Sequence, residues 1–203
     1  MKKFVLTFSV FFLGVMSSFA QTDTLQANKI ISFVPQYLIN SGIRVDYDIR
    51  LSDRHWLQLA PQIYLRDRSS SDPEEYYPDY HQLYGAGLFL YHKQYLKQNS
   101  EPEGAYLSYG LTYNYFYLNY DEEWVNSYVE RYSKINKLGG DIIIGISTIL
   151  FDYVTLDIYA GLGVRYSLLD SDAENPRHFN DFYSDFGYTG NMMSLGLRLG
   201  VIR

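Results

Sequence analysis

Four histidines, at positions 55, 81, 92 and 178, are the side chains best suited to general acid–base chemistry in this 203-residue chain, which contains no cysteine. Asp79 and His81 share one segment, and His178, Asp181 and Ser184 share another. A histidine within reach of a serine or a carboxylate would suit deacylation or acylation of a lipid, or peptide cleavage. No family motif accompanies either group, so solvated loop residues are the expectation and no catalytic residue is assigned. His55, beside a turn, and His92, near a strand end, are expected to be interfacial. Asp170, Asp172 and Glu174 are spaced like calcium-loop ligands, but no glycine stands where the sharp turn of such a loop needs one. No metal and no cofactor is assigned. The lack of cysteine removes thiol nucleophiles, cysteine zinc sites, disulfide scaffolds and an N-terminal lipoprotein anchor.

A different group of charges is more informative. From Ile43 to Leu51, Ile, Val, Tyr, Ile and Leu alternate with Arg44, Asp46, Asp48 and Arg50. That period of two predicts a strand with one apolar and one ionic face. Val154 to Leu168 alternates in the same way, with Asp157 and Arg165 on the polar phase, and Met193 to Val201 does so around Arg198. Fifteen alternating residues exceed the usual strand of about five or six and approach what a tilted membrane-spanning strand needs. Weaker alternation marks segments around 57–65, 84–90, 105–117 and 138–147, the last placing Lys137 and Asp141 on the polar phase. Ile30 to Ile39, with apolar residues in both phases, completes eight candidate strands.

The connectors between these strands are alternately short and long. Ser52-Asp53-Arg54, about Lys97 to Gly104, and Phe151-Asp152-Tyr153 are short, whereas 66–81, 119–134 and 169–190 are long and net acidic. The first join, Asn40-Ser41-Gly42, is tight as well. Short turns opposite long loops, with an even strand count, are the habit of outer-membrane barrels. Aromatic residues in the long connectors, namely Tyr76, Tyr77, Tyr80, Trp124, Tyr128, Phe182, Tyr183 and Phe186, could form a partner-binding surface. They could equally pack the loops onto one another and the rim.

Residues 1–20 carry Lys2 and Lys3, an apolar run from Phe4 to Met16, and the small residues of Ser17-Ser18-Phe19-Ala20. This is the layout of a cleaved secretory signal peptide, leaving residues 21–203 as one barrel domain. A net charge of −6 argues against nucleic acid as a partner. The 22 Tyr, 12 Phe and 2 Trp suit aromatic girdles at a bilayer's two surfaces.

Alternation alone does not say which phase faces outward, because a lipocalin-like soluble barrel simply exchanges inside for outside. An arginine facing lipid near the bilayer midplane would cost about 2–4 kcal/mol, so in a membrane barrel Arg44 and Arg50 must point inward. The charged phase also carries glycine (Gly85, Gly87, Gly139, Gly145, Gly161, Gly163, Gly196 and Gly200) rather than the Lys, Glu and Thr of a solvated strand face. Together with Tyr near strand ends and the absence of a Gly-x-Trp start, this predicts an all-β, eight-stranded antiparallel up-and-down transmembrane β-barrel. Arg44, Asp46, Asp48, Arg50, Lys137, Asp141, Asp157, Arg165 and Arg198 would form an ion-pair network that plugs its lumen, since unpaired buried charge costs several kcal/mol.

The leader, Gly-Ile-Arg-Val-Asp-Tyr-Asp-Ile-Arg-Leu at 42–51, Tyr-Ala-Gly-Leu-Gly-Val-Arg-Tyr at 159–166 and Leu-Gly-Leu-Arg-Leu-Gly-Val at 195–201 resemble the small outer-membrane barrels of the OmpA/OmpX type abundant in Bacteroidota. The resemblance spans most of the chain after the leader and is one of pattern. It implies residence in the bacterial outer membrane, contact with outer-membrane lipid, and insertion by the barrel-assembly machinery. That machinery reads a last strand usually ending in an aromatic, whereas this chain ends Val201-Ile202-Arg203. The expected role is structural or binding, with an envelope or extracellular protein as partner. The alternatives are a rim enzyme acting on lipid A and a small pore.

Overall fold

The computed structural model describes residues 28–67, 81–97, 101–124, 127–181, 184–185 and 189–203. Residues 1–20, expected above to be a leader, lie outside them, as do Tyr76, Tyr77, Asp79, Tyr80, Phe182, Tyr183 and Phe186 and the side chains of Trp124 and Ser184.

Eight antiparallel strands, each paired with its sequence neighbour, close into an up-and-down barrel. They are β1 (Lys29–Phe33), β2 (Gly42–Arg50), β3 (His55–Asp67), β4 (Gln82–Tyr95), β5 (Gly104–Trp124), β6 (Ser127–Leu150), β7 (Val154–Ser171) and β9 (Gly190–Ile202). A two-residue strand, β8 (Ser184–Asp185), adds to β9. Closure is made by β1 on β9, from Ile30↔Ile202 to Phe33↔Leu199. At one end the three-residue turn 151–153 between β6 and β7 has Phe151 and Asp152 both at positive φ (53° and 64°).

The alternation places the two phases on opposite faces of the wall. Arg44, Asp46 and Asp48 are buried, while Ile43 and Val45 are exposed. Every barrel strand turns aliphatic side chains outward: Ile31, Ile43, Ile63, Leu88, Leu111, Ile142, Leu162 and Leu195 are all exposed, Ile142 at 62% and Leu195 at 69%. Inside, small residues make room for large ones. A Cβ on Gly163 would run into the Asp141 carboxylate, and one on Gly145 would run into the Tyr106 ring.

Three expectations are corrected by the structure. The candidate strand 30–39 ends at Phe33, and Pro35–Asn40 forms a 3-10 helix with Pro35 at its start, where a missing N–H is harmless. The connector expected at 119–134 is mostly strand: β5 and β6 pair as far as Trp124↔Ser127. The connector after β7 begins beyond Ser171 and turns back into the barrel, burying Phe179 and Asp181.

Candidate functional site

The lumen holds five buried cations, Arg44, Lys93, Lys137, Arg165 and Arg198, and five buried carboxylates, Asp46, Asp48, Asp141, Asp157 and Asp181, among the described residues. Strand pleat explains the grouping, because residues two apart on one strand share a face and cross-strand neighbours meet them side by side.

The largest group lies toward the tight-turn end. Arg44 grips Asp46 with two hydrogen bonds, Nε to Oδ1 at 2.6 Å and Nη2 to Oδ2 at 3.1 Å. Arg198 Nε approaches the same carboxylate at 2.8 Å, and Arg198 Nη1 pairs with Asp157 at 3.3 Å. Lys93 Nζ donates to Asp157 at 2.9 Å and lies 3.6 Å from Asp48. Gln58 and the Tyr106 hydroxyl donate to Asp48 and Asp157, both at 2.6 Å. Aromatic faces cover the cations, with Tyr159 4.0 Å from the Arg198 guanidinium and Phe89 4.7 Å from that of Arg44.

A second pair, Arg165 and Asp141, is bidentate at 2.6 and 3.0 Å and takes a further hydrogen bond from the Tyr91 hydroxyl. A third group closes the mouth. Lys137 donates to Asp181 Oδ1 at 2.9 Å and to the Phe179 carbonyl at 2.6 Å, while Asn114 donates to Asp181 Oδ2 at 3.0 Å. The Phe179 ring stacks into a cage with Phe116 and Tyr64, at 4.8 and 5.5 Å between centroids. The 3-10 helix contributes Tyr37, whose hydroxyl accepts from Arg44 at 2.9 Å.

Sequence reasoning placed Arg50 among these charges. In the structure Arg50 stands at the end of β2 and pairs at 2.7 Å with Asp53 of the following turn, which is exposed. It missed Lys93 and Asp181. Lys93 was legible, because Tyr91, Lys93 and Tyr95 continue the inner phase of β4 in steps of two. Asp181 lies in a connector without periodicity and was considered only as a partner for His178.

At the rim, His81 Nε2 lies 2.9 Å from Asp121 Oδ2, with both side chains substantially exposed. The Asp181 carboxylate faces Lys137 and Asn114 inside the mouth. Above the barrel, Arg131 pairs with Glu122 at 3.2 Å, and Arg177 lies 4.9 Å from the centre of the Tyr120 ring. Tyr128 is exposed. His55 and His92 face outward near the tight turns, with Nδ1 and Nε2 3.1 Å apart and His92 against the Tyr109 ring. Among the described residues there is no cluster of three or more His, Cys, Asp or Glu able to hold a metal ion. No protein-family model matches the sequence, and neither the curated proteins nor the solved structures include a match to it.

Proposed function

We propose that this chain is an integral protein of the bacterial outer membrane, exported through its N-terminal leader, with a structural or binding role and a lumen that does not conduct. The observation that carries the reading is the outward aliphatic surface, to which all eight barrel strands contribute. Monomeric soluble proteins seldom expose a contiguous apolar patch beyond roughly 300–600 Å². Outward Tyr84, Tyr113, Tyr115 and Tyr166 on the half nearer the long connectors, with Phe151 and Tyr153 at the tight-turn end, suit girdles at two interfaces. Contact with outer-membrane lipid and assembly by the barrel-assembly machinery follow from this reading, while kinship with OmpA/OmpX-type barrels of Bacteroidota is proposed on the likeness of sequence pattern and of the eight-stranded barrel.

The lumen supports a non-conducting barrel, because paired charges and aromatic rings fill it and Lys137, Asp181 and Phe179 close its mouth. Partner recognition is assigned to the long-connector end, where Tyr128 and acidic residues of the β5–β6 extension stand out from the barrel. The test of the membrane reading is cell fractionation with gel migration before and after boiling. Recovery in the outer membrane with heat-modifiable migration is expected, and a detergent-free soluble product would contradict it. The pair His81–Asp121 favours one second reading, a rim enzyme acting on lipid A. Replacing His81 and His178 with Ala and profiling lipid A by mass spectrometry decides it, and an unchanged profile retires it.

A further inference from the structure

His55 and His92 interrupt the apolar outer face, and the strand pattern shows where they stand. Outward residues of β4 run Tyr84, Ala86, Leu88 and Leu90, and then His92 and Gln94. Those of β3 run from Leu65 to Leu57 and then His55. The pair therefore marks the edge of the aliphatic band at the tight-turn end, the level of the headgroups of one leaflet in a bilayer. Their contact at 3.1 Å occupies one ring N–H. His92 Nδ1 is buried and has no hydrogen-bond partner among the described residues. A neutral pair joined in this way keeps one further N–H to donate, and uptake of a proton adds another.

From the pair a groove of about 1170 Å³ leads into the band, larger than the roughly 300–1,000 Å³ of small-molecule sites. Two adjacent rows of outward residues line it. One row sets Leu57, His92, Tyr109, Ile142 and Leu162 each opposite the next across β3 to β7. The other sets Leu90, Leu111, Gly140 and Val164 in the same way. Strand tilt makes these rows slant across the wall. His92 stands close to the end of β4 at Tyr95, whereas Ile142 lies deep in β6, which runs on to Leu150. The groove thus passes obliquely from headgroup level toward the middle of the band. Gly140 opens it. This glycine takes the outward phase between Leu138 and Ile142, which are both exposed, and a Cβ there would meet the Gly110 carbonyl at 3.3 Å. From β3 to β7 every strand residue along the groove is described and paired with its neighbour.

We propose that this groove holds one phospholipid of the leaflet that meets the tight turns, its phosphodiester on the His55–His92 pair and an acyl chain over Gly140 between Leu111 and Val164. The proposal rests on the membrane reading above and names the lipid and the place of contact. Charge and shape select the occupant. A phosphodiester is an acceptor-only anion, and the paired imidazoles offer it N–H at the boundary of the band. The remaining lining, with Leu90, Leu111, Ile142 and Leu162, suits hydrocarbon. A lipid of the opposite leaflet would carry its phosphate at the long-connector end, away from the pair.

The test uses the full chain refolded in vesicles with a trace of phosphatidylglycerol that bears a diazirine midway along one acyl chain. A parallel preparation carries diacylglycerol with the same chain and no phosphate. After irradiation, adducts are mapped by mass spectrometry. Phosphatidylglycerol should label Leu111, Ile142 and Leu162 in excess over Val45 and Ile63, which face outward away from the groove. It should exceed diacylglycerol in the groove by about tenfold, the factor that one charge-assisted hydrogen bond supplies. Replacing both histidines, His55→Phe with His92→Phe, should remove that factor, and added inorganic phosphate should leave the labelling unchanged. Gly140→Leu should bring the groove down to the level of the controls. So should Val164→Phe, which fills the same trough without approaching the Gly110 carbonyl. Equal labelling by the two probes overturns the phosphate contact, and loss of labelling on adding inorganic phosphate shows a free-anion site and overturns the lipid. Even labelling around the band, or groove labelling that survives both filling variants, overturns the site and leaves the membrane reading intact. A chain that migrates as a dimer and shields the groove from both probes assigns it to a second copy and overturns the lipid. Val45 and Ile63 escaping label as well overturns the membrane reading and the site with it.

Discussion

Asp157 compensates two cations at once, Lys93 at 2.9 Å and Arg198 at 3.3 Å, and accepts from Tyr106. Replacing it with Ala leaves two buried cations with only Asp46 and Asp48 to balance them, alongside Arg44. The expected loss is about 3–5 kcal/mol, read as a lower denaturation midpoint in detergent micelles. Arg50→Ala should stay within about 1 kcal/mol, because its partner Asp53 is exposed in the turn. The isolated pair Arg165–Asp141 offers a sharper contrast. Asp141→Leu alone leaves Arg165 buried without its bidentate partner, whereas Asp141→Leu with Arg165→Met removes both charges. The double variant should be the more stable of the two, since desolvating an ion pair offsets much of its attraction. These charges were legible in sequence wherever they stood inside a clean period of two, as Arg44, Asp46 and Asp48 do. Lys93 was overlooked because the alternation around it was followed only to Leu90. Asp181 was not legible as a lumen residue, because its burial depends on a connector folding back onto Lys137.

At the scale of elements, seven of the eight barrel strands occupy the segments where alternation or near-alternation placed them. The exceptions have local physical causes. Residues 30–39 offered no phase, and Pro35 ends the ladder on the β9 side. The β5–β6 ribbon beyond Asn119 and Ser133 was read as a connector because charge and Tyr dominate both of its faces, so no apolar face announced a strand. This ribbon extends past the last β4 pair, Gln82↔Asn119, and the last β7 pair, Ser133↔Ser171. A two-stranded ribbon alone is marginal in water. Contacts from the connector after β7 hold it: Asp172 accepts from the Tyr132 amide at 2.9 Å, and Arg177 covers Tyr120. Arg177→Ala should therefore speed amide hydrogen exchange in Tyr120–Tyr132 and leave the barrel strands unchanged. Equal protection in both proteins would show that the ribbon stands without this support.

For the whole molecule, the decisive relation is between the two faces of one wall. The inward face is ionic and paired, the outward face aliphatic, and the sequence pattern shows the two phases without showing which is which. Glycine on the charged phase was the cue to orientation, and the collisions a Cβ would cause with Asp141 or Tyr106 give its physical basis. An outward cation is the test at this scale. Leu162→Arg, at a position 64% exposed, should cost about 2–4 kcal/mol in a bilayer if it lies near the midplane, and next to nothing if water already bathes that face.

The most direct measurement exploits the absence of cysteine in the chain. A single spin label at Leu162→Cys, or at Ile142→Cys or Leu111→Cys, is compared for collisions with oxygen, which partitions into acyl chains, and with a water-soluble nickel chelate. In reconstituted vesicles all three sites should favour oxygen strongly, while a label at Tyr128→Cys favours the chelate. Labels at 111, 142 and 162 that meet the chelate as freely as the one at 128 would contradict a wall whose aliphatic face lies in lipid.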